Sequence, residues 1–245
     1  MINLILGRQA ARVSDSAVGC TFKYDKYESS DGSYVLYDTV GLSEGKNGTV
    51  SSTDAIKQLV SLLKSLADGV SLLIYVIKKD RIRETTEKNY RLFVNDICMN
   101  SVPAILVITN CELEKQAGTW WRENKSHFDG YRMNFVDVIS GCAGDPDSVI
   151  EELQPRITRL RAETKCKLEA SIASNGLAEP WKMKSWMNWL QRIIAQVWNT
   201  ICSWLGLTDA QVAYVPRLKE VLMRSGNLSE AEATRLANEI ADAIQ

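Results

Sequence analysis

Two apolar runs, from Val70 to Ile77 broken only by Ser71 and from Pro103 to Ile108 without a break, stand out in a chain whose other apolar residues mostly recur every third or fourth position. Short apolar runs of roughly 4–8 residues suit strands covered on both faces, as in a parallel sheet. Around them the spacing is helical. Ile56, Leu59, Leu62, Leu63 and Leu66 predict a helix from Thr53 to Ala67 stopped by Gly69, and Glu84 to Asn100 predicts a second amphipathic helix. Asn134 to Ile139 predicts a further strand. Earlier in the chain, Phe22, Tyr24 and Tyr27 alternate with Lys and Asp, and Ser30-Asp31-Gly32-Ser33 turns this strand into the run from Ser33 to Leu42. Met1 to Leu6 reads as the back half of an amphipathic helix closed by Gly7. Strands alternating with helices predict an α/β fold.

Beyond Ser140 the pattern is wholly helical. Asp147-Ser148-x-x-Glu151 predicts the cap of a long helix with Ile150, Leu153, Ile157, Leu160 and Leu168 on one stripe and a bend at Pro155. Asn175-Gly176 and Pro180 form a linker. The segment Trp181 to Leu205 carries Trp181, Trp186, Trp189, Trp198 and Trp204, with Leu190, Ile193, Val197 and Ile201 continuing the stripe. Such a helix either packs against its neighbours or lies in a membrane interface, where Trp favours the headgroup boundary. Two short helices follow, Ala210 to Arg224 and one capped by Ser229-x-x-Glu232. The expected division is residues 1–174 as the α/β domain and 181–245 as a helical C-terminal subdomain.

With 245 residues, 45% apolar and 24% charged, the chain can bury a full core. A net charge of -1 supplies no basic face for nucleic acid, and none is expected as a partner. Six Cys without C-x-x-C spacing and a single His argue against a zinc site or a disulfide framework, and point to a reducing, cytoplasmic setting. The apolar start is too short for a secretory signal, and no run reaches the ~20 apolar residues of a membrane span, so membrane association would rest on the Trp-rich helix.

Candidate chemistry lies at the ends of the predicted strands. Asp38-Thr-Val-Gly41 ends a β-rich run as a phosphate site requires, a carboxylate for Mg²⁺ and a Gly that lets an amide approach phosphate; an ordinary strand ending in a Gly turn has the same pattern. Thr21, in a loop before a strand, has a hydroxyl suited to Mg²⁺ and an amide suited to phosphate, and is equally a simple β-former. The 104–108 strand runs into Thr109-Asn110-Cys111-Glu112. A carboxylate there can accept both guanine N1–H and N2–H₂, which adenine cannot satisfy, whereas Thr-x-x-Glu is also a helix-starting box. Ser140-Gly141-Cys142-Ala143 ends the next strand with small residues that leave room for backbone amides to reach a base carbonyl. No Gly-x-x-x-x-Gly-Lys-Ser/Thr occurs in these residues, so the expected sheet lacks its first strand and phosphate loop.

Taken in order, these motifs resemble the TRAFAC-class GTPases, and within them the septin-like, immunity-associated and chloroplast-import-type branch that includes fungal relatives. The resemblance covers about 1–173. Ile2-Asn-Leu-Ile-Leu-Gly7 is similar to the helix after the phosphate loop, Gly19-Cys-Thr21 to the first switch, Asp38-Thr-Val-Gly-Leu42 to the second, and Leu73-Ile-Tyr-Val-Ile with Arg81-Ile-Arg and Glu84 to the following strand and helix. Thr109-Asn-Cys-Glu112 stands at the base-specificity motif, Trp120-Trp121, Phe128, Tyr131 and Phe135 at the aromatic segment after it, and Ser140-Gly141 at the last base-contact loop. The resemblance implies a P-loop-NTPase-like fold, GTP or GDP and Mg²⁺ as ligands, and a homodimer through the G domain. It implies Thr21 and Asp38 at the metal, with Gly41, Thr109, Asn110, Glu112, Ser140 and Gly141 around the nucleotide. Asn110 stands in place of a Lys and Glu112 of an Asp, departures that bear on the strictness of guanine preference; Leu42 stands in place of a water-orienting Gln, so fast hydrolysis is not expected and no catalytic residue is assigned. Two functions follow, a guanine-nucleotide-binding switch impaired by the missing loop, or a non-enzymatic G-domain remnant that tethers a protein or membrane through the Trp181–Leu205 helix.

Overall fold

The computed structural model describes residues 1–11, 24–39, 62, 64–66, 68–82, 84–182, 219, 223 and 229–244. It divides into two compact units, one of Met1–Val13 with Ser71–Trp181 and one of Ser14–Val70 with Lys182–Gln245. The first unit is α/β. Its sheet has three parallel strands in the order β3 (Leu73–Lys78), β4 (Ala104–Thr109) and β5 (Asp137–Ser140). The register pairs Leu73 with Ala104 and Ile105 with Asp137. Every residue of β4 is buried, as a continuous apolar run in the middle of a sheet must be. Val76 of β3 is 43% exposed, and β3 has β4 on one side only among the described residues.

Helices cover both faces of this sheet. On one, Tyr90 and Val94 pack with Phe128, Met133 and the β4 residues Leu106 and Ile108, and Tyr90, Phe135 and Phe128 meet edge to face. Tyr90 ends helix α2 (Glu84–Tyr90), which widens into a π-helix over Arg91–Ile97; Phe128 belongs to α3 (Thr119–Gly130). The other layer holds α1 (Ile2–Leu6) and α4 (Gln154–Asn175), which contact one another. Gly7 closes α1 at φ 65°, as its sequence implies. A Cβ at that position would also meet Lys165 Nζ at 2.9 Å.

The start of α4 differs from the expected cap. Short 3-10 turns occupy Pro146–Ser148 and Glu151–Leu153, and the α-helix begins only at Gln154. Pro155 therefore sits in the first turn, where its missing N–H is harmless, and does not bend the helix. Ile150, 65% exposed, and Leu153 fall before the helix and outside its buried stripe of Ile157, Thr164, Leu168 and Ser171.

The second unit holds an antiparallel pair, β1 (Tyr24–Glu28) and β2 (Val35–Thr39), joined through Asp31, whose carboxylate accepts from Ser29 Oγ, Ser33 N and Ser33 Oγ. These three bonds hold Asp31 at a pKa of about 2. It also holds α5 (Glu230–Ile244), where Ser229 and Glu232 make the expected reciprocal cap: Ser229 N–H donates to Glu232 Oε2 and Glu232 N–H to Ser229 Oγ. The Thr53–Ala67 helix is described only at 62 and 64–66, and the Ala210–Arg224 helix only at 219 and 223. The Trp-rich segment lies outside the described residues beyond 182. No described helix is long and apolar enough to cross a membrane.

Candidate functional site

The parallel sheet delivers two loops side by side at its carboxyl end, Asn110–Gly118 after β4 and Gly141–Asp145 after β5. They are tied directly, since Cys111 N–H donates to Gly141 O at 3.2 Å. Helix α4 pins both from one side: Arg156 Nε donates to Glu112 O at 3.0 Å, and Arg161 Nη1 to the carbonyls of Ala143 and Gly144 at 3.0 and 2.8 Å. Charged donors on a packed helix hold backbone that has left the sheet ladder.

Thr109 ends β4. Its hydroxyl donates to Ile77 O at 3.1 Å, so its side chain joins two strands and starts no helix. Asn110 is exposed at φ 62°, a left-handed conformation that Asn tolerates better than most residues. This turn sends Cys111 inward and begins the loop. The helix-starting reading of Thr109-x-x-Glu112 does not hold, because helix α3 begins at Thr119.

Glu112 and Glu114 divide two roles. Glu114, its side chain 3% exposed, accepts from Gly118 N–H and Trp120 N–H and lies 3.7 Å from Lys79 Nζ; it is the cap of α3. Sequence reasoning missed it, although a carboxylate four residues before Gly118-Thr119 is a readable signal. Glu112 caps nothing. Its Oε2 is buried without a hydrogen-bond partner, and its charge helps to push up the thiols of Cys111 and Cys142. For both thiols burial is the largest cause, and Cys111 reaches about 11.

The β5 loop is built around Thr164. Its Oγ1 donates to Leu160 O at 2.7 Å and accepts from Cys142 N–H at 2.9 Å. A Cβ added to Gly141 would stand 2.3 Å from Thr164 Oγ1 and 2.6 Å from Cγ2, so this close approach demands glycine. Gly141 N–H donates to Ile108 O at 2.9 Å. Of the stretch Ser140–Ala143, whose backbone amides were expected to reach a base carbonyl, the Gly141 and Cys142 amides are therefore engaged within the protein. Thr164 was legible only as a polar residue in an apolar stripe.

Asp38 lies on β2 in the other unit, directly opposite Asp25 in the antiparallel register. Burial raises its pKa, and the like charge of Asp25 adds to the rise. Asp38 is thus on a two-stranded antiparallel sheet, and the expected company of Thr21 and Gly41 lies outside the described residues. Among the described residues no group of three or more His, Cys, Asp and Glu is placed to hold a metal ion. The structure brings together Thr109, Asn110, Glu112, Ser140 and Gly141. Neither the protein-family models nor the curated proteins contain a match to this sequence.

Proposed function

We propose that the chain is a guanine-nucleotide-binding switch protein of the septin-like and immunity-associated GTPase type, with a P-loop-NTPase-like sheet and Glu112 as its base-reading carboxylate. The observation that supports this most is the buried, unpaired Oε2 of Glu112, on the β4 loop that Cys111 N–H ties to Gly141 O of the β5 loop. A buried acceptor without a donor costs about 1–3 kcal/mol, and a ligand that brings donors recovers that energy. Guanine presents N1–H and N2–H₂ side by side, and adenine has no matching pair. Ser140 stands at the end of the adjacent strand. Mg²⁺, when bound with nucleotide, supplies charge neutralisation at the phosphates, and by resemblance Thr21 and Asp38 would hold it. The two facing carboxylates at Asp25 and Asp38 suit a cation but do not complete a ligand set.

Amide-resolved NMR titration with guanosine, GDP, GTP and ATP tests this. Guanine compounds are expected to shift amides at 110–114 and 140–143 while ATP does not, and Glu112→Ala is expected to abolish the difference. With no phosphate loop in these residues, the lost charge-assisted bonds of roughly 1.5–3 kcal/mol each leave only weak binding. Equal response to ATP and GTP would overturn the base reading, and micromolar or tighter GTP binding would overturn the need for the loop. No response to any nucleotide would favour the non-enzymatic remnant.

A further inference from the structure

The outer edge of β5 carries a feature the nucleotide reading does not use. Strand β5 pairs with β4 alone among the described residues, so it is an edge strand of the described sheet. The register Ile105 to Asp137, with Gly141 N–H on Ile108 O, turns the amides of Asp137 and Ile139 toward β4 and those of Val138 and Ser140 outward. Val138 N–H is accordingly taken by Asp137 Oδ1 at 2.7 Å, and Asp137 Oδ2 accepts from Ser171 Oγ at 2.6 Å. This clip blunts the middle of the edge, as proteins do where free strand groups would invite pairing. Ser140, at the end of the edge, has no such clip.

Along this edge runs an open cleft of about 500 Å³. All four β5 residues form its floor, while the start of α3 and the C-terminal half of α4 overhang it from the two layers. The α4 wall is made of short side chains, Ala170, Ser171 and Ser174, which leave room for a backbone. The rims are cationic: Arg122 on α3 and Lys167 on α4 are both exposed, and the Arg122 guanidinium is held in place by donating to Ala117 O at 3.2 Å and Thr119 Oγ1 at 2.9 Å. The one acidic residue in the lining, Asp137, is already held by Ser171 and Val138 N–H.

We infer that this cleft receives an extended acidic peptide segment, added to β5 as a fourth strand between α3 and α4. Four residues of β5 at ~3.3 Å each offer a ladder of about 13 Å. Main-chain bonds to the outward groups of Val138 and Ser140 give the affinity, and acidic side chains reaching Arg122 and Lys167 give the selectivity. Engagement of Val138 requires Asp137 to leave its amide, so the clip sets a threshold that only a strand with acidic flanks meets.

The test uses the full chain and two capped peptides, acetyl-Glu-Val-Glu-Val-Glu-amide and its Lys-Val-Lys-Val-Lys counterpart. The acidic peptide is expected to shift the Val138 and Ser140 amides and slow their hydrogen exchange, and the basic peptide to do neither. Lys167→Glu, at an exposed position, is expected to weaken binding at least tenfold, and Asp137→Ala to tighten it several-fold by opening the edge. Equal response to both peptides, no protection of Val138 and Ser140, or indifference to Lys167→Glu would overturn the inference. A response to sodium acetate that matches the peptide's would also overturn it, by showing an anion pocket where a strand site is claimed.

Discussion

Gly141 offers the sharpest quantitative test, because a single methyl group there meets a residue whose bonds are known. In Gly141→Ala the new Cβ falls 2.3 Å from Thr164 Oγ1, 2.6 Å from Cγ2 and 3.0 Å from Cβ. Inserting a methyl into a packed site costs about 1–3 kcal/mol. If Thr164 rotates away, it releases the Cys142 amide and the Leu160 carbonyl, and a buried unsatisfied N–H adds about 1–3 kcal/mol. The total is about 2–6 kcal/mol, which at about 2–4 °C per kcal/mol for a chain of this size lowers Tm by about 4–24 °C in a calorimetric scan. The partner variant separates clash from strain. Thr164→Ala removes Oγ1 and Cγ2, so the double variant should be little worse than Thr164→Ala alone, a coupling that equals nearly the whole Gly141→Ala loss. A Gly141→Ala protein that melts within a degree of the parent, or strictly additive losses, would refute the packing argument.

Glu112→Met removes the orphan carboxylate oxygen while keeping side-chain length, and is expected to raise Tm by a few degrees in the absence of ligand, with guanine-dependent shifts lost; destabilisation would show that Glu112 has a partner. Glu114→Ala strips both amide bonds from the start of α3 and the partner of Lys79, and should cost about 2–4 kcal/mol in urea unfolding. The bonds from Ser229 hold Glu232 below the usual carboxylate value of 4.5. A depressed folded pKa contributes stability above the unfolded value that disappears as pH falls through the folded one, so fraying of α5 should increase below about pH 4.5, and Ser229→Ala should remove that dependence, as read by amide exchange in 230–235. Among the described cysteines, iodoacetamide at pH 8 should label the exposed Cys166 first, since burial pushes the Cys98 thiol up to about 12 and Cys111 to about 11.

Strand β4 was legible because its apolar run is continuous and a strand covered on both faces permits nothing else there, and β3 by a nearly continuous run; β5, Asp-Val-Ile-Ser, was legible only as a short β-rich stretch. The Gly7 stop and the Ser229-Glu232 cap were legible for a similar reason, each being a local bond that neighbouring residues complete by themselves. The candidate base site was half legible. Strand ends mark Thr109 to Glu112 and Ser140 to Gly141 without any knowledge of the fold. The cap that Glu114 makes to Gly118 and Trp120 is local and was readable, whereas its approach to Lys79 and the lack of a partner at Glu112 Oε2 are set only by the fold. Helix α4 shows the same limit: Pro155 reads alike as a bend or a start until packing on β5 sets where the helix begins. Thr164 shows it most plainly, since its hydroxyl joins residues 22 apart in the chain. Periodicity reports which side of an element faces the core. It carries no record of which distant group waits there, and that pairing of loops, caps and orphan charge is what the tertiary structure decided.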